Sequence, residues 1–475
     1  MIFESKDPKS GFKLGNVKLK VSKEKLVSNA GLGTIMQLFD ESPLSKDFAS
    51  CLPERKSNNT HGSYRMALMM LTSLIHGDDC LDDIEKEFSE NSSFEAFFRG
   101  KVPVAKTFGD YLRSFDDDHI QKLNQFLTKM GYTIRDHLLA TVPEEHRPKE
   151  KPHYSVDSTP HEQHGSKIEG CDYNYNNLWC LNSEVVFDEV GLAYAGVLQT
   201  GNTKPGTSGP ELLEQVLKPL IQQKILHPTL RVADVSGDSA YGFEDFIRTA
   251  QAGHATFIIA ARRNIPWEQQ IEKFTDSEWI PWQPSLKEME RFSQRNKELP
   301  ERYLARWHWS PSWAPQLKFP IIIKKEFKSD PFFEASGSFH YHAIMTNEDL
   351  TKYSYQDIYE RYAQRANMEN FIKEAKMNFD AYHLPCLSFK ANHAFLLLLL
   401  VAFNLLRWIS VITKPDKPHY AKKLRRSFIF QAGKIQLRSR QVFLKVSEKY
   451  FKEVQRLKEA WESQPIRIFP LFSTA

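Results

Sequence analysis

The spacing of apolar and polar positions divides the chain into four stretches. Residues 1 to about 150 carry helical periodicity. The pattern YRMALMMLTSLI starts behind Ser63 as N-cap and stops at Gly77. A second helix is predicted over Leu81 to Phe88, and a third, FGDYLRSF, is capped by Thr107. A longer one follows from about Asp117 to Leu139. Near Pro152 the period changes from helical to two: HYSVDST alternates as a strand does, and LNSEVVFDEVGLAYAGVLQTGN reads as two strands joined at Glu189 to Gly191. Gly209 to Gln223 is helical, TLRVADVSGDS is a strand ending in a glycine turn, Tyr241 to Ala252 is a helix, and ATFIIAARR is a buried strand. Three strands followed by alternating helix and strand describe an α/β mixed sheet with its meander first, the order of the ribonuclease-H-like fold.

That alternation stops after Arg263. Residues 264 to about 348 hold six of the nine tryptophans, clustered prolines and the strand-like runs FPIIIKKEF and GSFHYHAIM, and they read as a β-rich insertion. Helical pattern returns from about Thr351 to Asp380, and an apolar helix covers Asn392 to Ile412. The expected organisation is therefore a helical N-terminal region (1–150) for DNA binding or dimerisation and a catalytic core (151–263 and 349–412). The insertion (264–348) and a basic helical C-terminal region (413–475) complete it.

Composition narrows the class. At 475 residues and 41% hydrophobic, the chain can bury more than one core. Its five cysteines are odd in number and irregularly spaced, which excludes a disulfide scaffold and fits a reducing compartment. The opening MIFESKDPKSGFKLG lacks the apolar run of a signal peptide, and the run Ala394 to Phe403 is too short to span a membrane. A soluble cytoplasmic protein is expected. The net charge of +4 conceals an asymmetry: from Thr413 onward, 15 Lys and Arg face 5 Asp and Glu. A basic tail on a near-neutral body suits a polyanion partner, although a solvated helix face has the same composition. In that tail Lys422, Lys423, Arg425 and Arg426 interleave with apolar residues and are the candidate phosphate contacts.

The strongest chemical signal lies in YERYAQRANMENFIKEAK. Tyr362, Arg365, Glu369 and Lys376 stand at offsets 0, 3, 7 and 14. At about 100° per residue they project from one stripe of a single helix, about 60° wide. A carboxylate among a phenol, a guanidinium and an ammonium suits a metal ligand beside a phosphate backbone. An exposed helix with an Arg365–Glu369 pair shows the same spacing. A zinc reading of His161, His164, Cys171 and Cys180 is weak, because the cysteine spacing is too long for a knuckle. No P-loop sequence is present.

The spacing Y-x2-R-x3-E-x6-K resembles the signature of DDE transposases of the IS-four superfamily. The stretch DSTPHEQHGSKIEGCDYNYN, a hairpin and QTGN are similar to its IS-thirteen-eighty group. The resemblance maps the family's acids onto Asp157, Asp238 and Glu369, with Asp234 as the rival for the second position. It implies metal-dependent cleavage at transposon ends and strand transfer by the freed 3′-hydroxyl. Three carboxylates brought together repel one another without cations, and two divalent ions answer that need, Mg2+ or Mn2+ for oxygen-only ligands. By residue type and resemblance together, Arg365 and Lys376 hold a phosphate and Tyr362 donates or stacks. Tryptophans in such a stretch are more often β-core, but the resemblance implies that one of Trp279, Trp282, Trp307, Trp309 and Trp313 holds a flipped base. A homodimer on double-stranded DNA, in a bacterial cytoplasm at the nucleoid, is implied. The rival expectations are a domesticated DNA-binding descendant that no longer cuts and a metal-dependent nuclease or phosphatase on the same fold.

Overall fold

The computed structural model describes residues 24–54, 61–78, 80–90, 97–98, 102–222, 230–329, 337–379, 381–438 and 441–471. A two-residue strand, β1 (Leu26–Val27), precedes a set of helices over Gly31–Glu41, Leu44–Ser50, Ser63–His76, Leu81–Glu90, Ala105–Arg113 and Asp117–Thr141. Gly77 ends the Ser63 helix in the left-handed conformation, φ 101°, as its position predicts. Ser63 and Thr107 lie one residue or more inside their helices rather than capping them; Gly62 and Val104 precede the first turns. Asp116 caps the long helix by accepting from the His119 N–H.

The central sheet begins with β2 (His153–Glu162), β3 (Asp172–Tyr173), β4 (Trp179–Asp188) and β5 (Ala193–Gln199), and continues through β6 (Ala233–Gly237) and β7 (Ala255–Ala260). Strand β2 pairs antiparallel with β4 and parallel with β6, β4 pairs with β5, and β6 runs parallel to β7. The resulting order, β5-β4-β2-β6-β7, is a meander followed by parallel crossovers, and the molecule has a mixed ribonuclease-H-like α/β architecture. The turn between β4 and β5 is fixed by charge. Asp188 accepts from the backbone of Val190, Gly191 and Leu192, and Arg135 of the long N-terminal helix reaches Asp188 at 2.8 Å and Glu189 at 2.7 Å.

Beyond β7 the strands β8 (Ile280–Pro281), β9 (Arg302–Trp309), β10 (Phe319–Ser329) and β11 (Gly337–Thr346) extend the same sheet, because β11 pairs antiparallel with β7. The tryptophan-rich stretch thus continues the core sheet. Its inward isoleucines, Ile322 and Ile344, share a small core with Ile258, Ile358, Tyr359 and Tyr362.

The helix Phe389–Thr413 is the apolar axis of the fold. Its length and mean hydropathy of 2.3 suit a membrane span, but 89% of that window is buried inside the protein. It packs on β5 and on the helices Asp117–Thr141 and Ser63–His76. Asn404, fully buried, accepts from the Ala193 N–H at 2.7 Å and donates to the Ala193 carbonyl at 2.8 Å, so its amide is satisfied by the edge of β5. The C-terminal region contains more than helix. After a short turn at Ala421–Ile429, β12 (Gly433–Arg438) and β13 (Gln441–Val446) form a hairpin that pairs with β1, and the helix Glu448–Glu462 follows. Exposure alternates at every residue along QVFLKV, as in a strand with one face turned to solvent. The cysteines Cys51, Cys80, Cys171, Cys180 and Cys386 are all free.

Candidate active site

Parallel register brings the first two aspartates together. His153 faces Asp234, Tyr154 faces Val235, and Ser155 faces Ser236. Two residues further along each strand, Asp157 on β2 comes level with Asp238 just past the end of β6. Neighbouring strands are about 4.8 Å apart, and side chains at alternate positions share a face. Hydroxyls one step earlier secure the register: Ser155 and Ser236 are 2.7 Å apart, and the His153 ring nitrogen lies 3.0 Å from Ser236.

Asp157 is half-buried, with its side chain 16% exposed. One carboxylate oxygen accepts from the Ser158 N–H at 2.9 Å, and the other accepts from Arg365 Nη1 at 3.1 Å. Burial pushes its pKa up to about 6; Arg365 pulls it down, and the negative charges of Asp238 and Glu369 push it up again. Asp238 uses Oδ1 to accept from the Ala240 N–H at 2.8 Å, capping the short turn Ser239–Tyr241. The cap engages one oxygen and leaves Oδ2 outside that bond. Glu369 is exposed, its side chain 64% accessible, and meets Arg365 Nη2 at 3.4 Å. A single guanidinium thus stands between Asp157 and Glu369.

The helical stripe is bent. The segment forms two helices, Tyr355–Ala363 and Ala366–Asn378, joined at Gln364 and Arg365. Both joint residues keep right-handed dihedrals, but the Arg365 N–H bonds the Tyr362 carbonyl at 2.9 Å, a tighter i→i−3 contact. Ion pairs on either side hold the joint: Arg361 reaches Asp234 and Glu348, while Arg365 reaches Asp157. Tyr362 is 9% exposed and packs beside His342, ring centroids 5.5 Å apart, and its hydroxyl lies near Arg365, whose pKa it helps to raise against burial. Lys376 donates to the Pro160 carbonyl at 2.5 Å, three residues beyond Asp157, and its ammonium lies 5.4 Å from the Tyr382 ring.

Asp234, the rival acid, has a different environment. Arg361 grips it with a two-pronged contact, Nε at 3.0 Å and Nη2 at 2.7 Å, and Lys151 pairs with it as well. Despite its burial, these two cations hold its carboxyl below the usual range. Lys151, Glu348 and Arg361 are absent from the sequence-derived candidates. Their signal is a set of long-range pairings that no local spacing carries.

The remaining candidates are distributed as follows. Lys422, Lys423 and Arg426 are exposed. Arg425 is 6% exposed and donates to the carbonyls of Ile75, Leu74 and Asn378 at 2.7, 2.8 and 2.5 Å, so its guanidinium is committed to the interior. The five candidate tryptophans, Trp279, Trp282, Trp307, Trp309 and Trp313, are half-buried. Arg302 covers the Trp282 ring at 4.8 Å, Lys325 covers Trp279 at 5.3 Å, and Arg248 covers Trp313 at 4.8 Å. Trp307 and Trp309 lie on β9, opposite Ile321 and Phe319 of β10. Trp282 touches Tyr359, which touches Tyr362, so of the five it connects to the site through these aromatic contacts. QTGN closes the end of β5: a Cβ on Gly201 would fall 2.2 Å from two carbonyl oxygens, so only glycine fits there. His161 offers no zinc ligand, since one ring nitrogen meets Ser183 at 2.7 Å and the other meets the Ala381 carbonyl.

Among the described residues, no three His, Cys, Asp or Glu side chains are gathered as a metal-binding group. The acids nonetheless fit divalent cations in chemistry. They supply carboxylate oxygens, the Asp157 pKa is raised by burial and then by its acidic neighbours, and one guanidinium bridges Asp157 and Glu369.

Asp157 on β2, Asp238 just past the end of β6 and Glu369 on a following helix thus lie on a mixed ribonuclease-H-like sheet. The family model described as "Transposase DDE domain group 1" matches residues 10–461, nearly the whole chain, and the protein belongs to that family. A search of curated proteins finds no match.

Proposed function

We propose that the protein is a cut-and-paste transposase of the IS-four superfamily, near its IS-thirteen-eighty group. It would cleave the ends of its mobile element and join the freed 3′-hydroxyl to target DNA. What supports this reading is the parallel register of β2 and β6, which runs toward Asp157 and Asp238, with Glu369 tied to Asp157 through Arg365. Asp157, Asp238 and Glu369 are the proposed holders of two Mg2+ or Mn2+ ions. Bound there, the metals would activate the attacking oxygen and neutralise the leaving one.

The protein's own groups set the geometry. Ser158 N–H and Ala240 N–H fix one oxygen each of Asp157 and Asp238, which orients the carboxylates before metal arrives. Tyr362, buried under His342, holds Arg365 at the mouth of the site, and Arg365 is placed to meet a phosphate when its carboxylate partners turn to a metal. Lys376 keeps the Glu369 helix against β2 through the Pro160 carbonyl. Lys422, Lys423 and Arg426 contribute phosphate contacts, and Trp282 is the favoured base-capturing tryptophan. A dimer on DNA completes the reading.

The test is a cleavage and strand-transfer assay with intact and pre-cleaved element ends, supercoiled target DNA and Mg2+. Joined product supports the reading. Cleavage without joining defines a nuclease, and binding without either defines a domesticated descendant; each contradicts it.

A further inference from the structure

The helix Ala366–Asn378 carries Glu369 on its exposed face and Glu374 on its buried one. Five residues at about 100° each turn Glu374 about 140° away from Glu369. Glu374 is 7% exposed, and its carboxylate accepts from the backbone N–H of Ala421, at the start of the basic turn. The same turn grips the far end of the helix. Arg425 donates to the carbonyl of Asn378, the last residue of the helix, and its guanidinium lies 4.9 Å from the ring of Phe379. Its other donors reach Leu74 and Ile75 at the end of the helix Ser63–His76. A Cβ on Gly77 would approach the guanidinium carbon to 2.9 Å, so glycine keeps that route open as well as ending the helix.

The turn has two faces. Ala421, Leu424, Arg425 and Phe428 point inward, and Lys422, Lys423 and Arg426 point to solvent. A π-helical step over Arg425–Ile429, with the Phe430 N–H bonded to the Arg425 carbonyl at 2.8 Å, accommodates both orientations in one short segment.

We infer that Glu374 and Arg425 are positioning residues that couple this basic turn to the helix bearing Glu369. Phosphate contact on Lys422, Lys423 and Arg426 fixes the turn. The turn, through Glu374 and Asn378, fixes the helix and with it the Glu369 carboxylate. DNA binding at the tail is thereby communicated to the site. This rests on the function proposed above for Glu369 and for the exposed cations.

Four proteins test it: the wild type, K422A/K423A/R426A, and Glu374→Ala with Glu374→Gln as its conservative partner. Single-turnover cleavage is measured at saturating element-end DNA. Backbone hydrogen exchange over residues 366–378 is measured with and without that DNA. The surface variant is expected to cleave about tenfold more slowly even at saturation, and to lose the DNA-induced protection of the helix. Glu374→Ala is expected to hold DNA affinity within about twofold while its saturated rate falls about tenfold to a hundredfold, since misplacement of about 1 Å has that cost. Glu374→Gln retains the acceptor for Ala421 and recovers most of the rate. Full recovery of the surface variant's rate at saturating DNA overturns the coupling, as does wild-type cleavage by folded Glu374→Ala. If the wild type binds DNA without cutting, the proposed function fails. The exchange experiment still decides the coupling: equal protection in the wild type and the surface variant overturns it.

Discussion

Two acidic neighbourhoods on the paired strands β2 and β6 are compensated very differently. At one end, Asp234 and Glu348 face Lys151 and Arg361, two carboxylates to two cations, closed by contacts of 2.6 to 3.0 Å at Arg361. Four residues further along, Arg365 stands among three acids, 3.1 Å from Asp157 and 3.4 Å from Glu369, while Asp238 accepts from the Ala240 N–H. Three carboxylates to one cation leave two negative charges. A buried acid that serves the fold is paired, because leaving it unpaired costs several kcal/mol. An acid that serves a cation can be left short of charge, and that deficit separates the proposed site from the structural network beside it.

The contrast can be broken at either end. Replacing Asp157, Asp238 or Glu369 by Ala is expected to lower cleavage by about 10³-fold or more, with DNA affinity kept within about threefold. Gel assays of cleavage and fluorescence anisotropy of binding read the two separately. Asp234→Asn is expected to do the reverse. It removes one charge of the paired network and costs about 3 kcal/mol of unfolding free energy in a urea titration, while folded protein still cleaves. Loss of chemistry in Asp234→Asn alongside retained cleavage in Asp238→Ala would exchange the two assignments.

A smaller effect lies in pH. The Asp157 carboxyl is raised from 3.8 to about 6 by burial, so between those values the folded state binds a proton that the unfolded state has released. Its contribution to stability therefore falls as pH rises through that window. Above it, Asp157→Asn should stabilise the metal-free protein by on the order of 1 kcal/mol, read from melting curves at pH 5 and 7.5. The cleavage rate should decline as pH drops below about 6, where protons compete for the carboxylate. The smallest effect is electrostatic: K422A/K423A/R426A should flatten the salt dependence of DNA binding by about 0.9 in logarithmic slope for each phosphate that these side chains neutralise.

Much of this was legible in the chain. The change from helical to two-residue periodicity at Pro152 marks the start of the sheet, and the Glu189–Gly191 turn falls where Asp188 caps it. The strand around Asp157 and the turn after a strand at Asp238 were readable because both patterns are local. The joint at Gln364–Arg365 was not, because helical spacing assumes a straight helix and the bend is set by ion pairs to Asp157, Asp234 and Glu348. Arg425 reads in sequence as one more cation in a basic run. Its burial depends on carbonyls at Leu74, Ile75 and Asn378, two of which lie some 350 positions away in the chain. The union of the insertion strands with the core sheet depends on pairing between β7 and β11, a contact that strand propensity does not encode.

The central claim is that the charge deficit around Asp157, Asp238 and Glu369 is a seat for divalent cations. Calorimetric titration of Mn2+ into the protein bound to a non-cleavable element end measures this directly. The account predicts about two Mn2+ per site, abolished in Asp157→Ala and Asp238→Ala and retained in Asp234→Asn. Unaltered Mn2+ binding in Asp157→Ala, or no binding by the wild type, would contradict it.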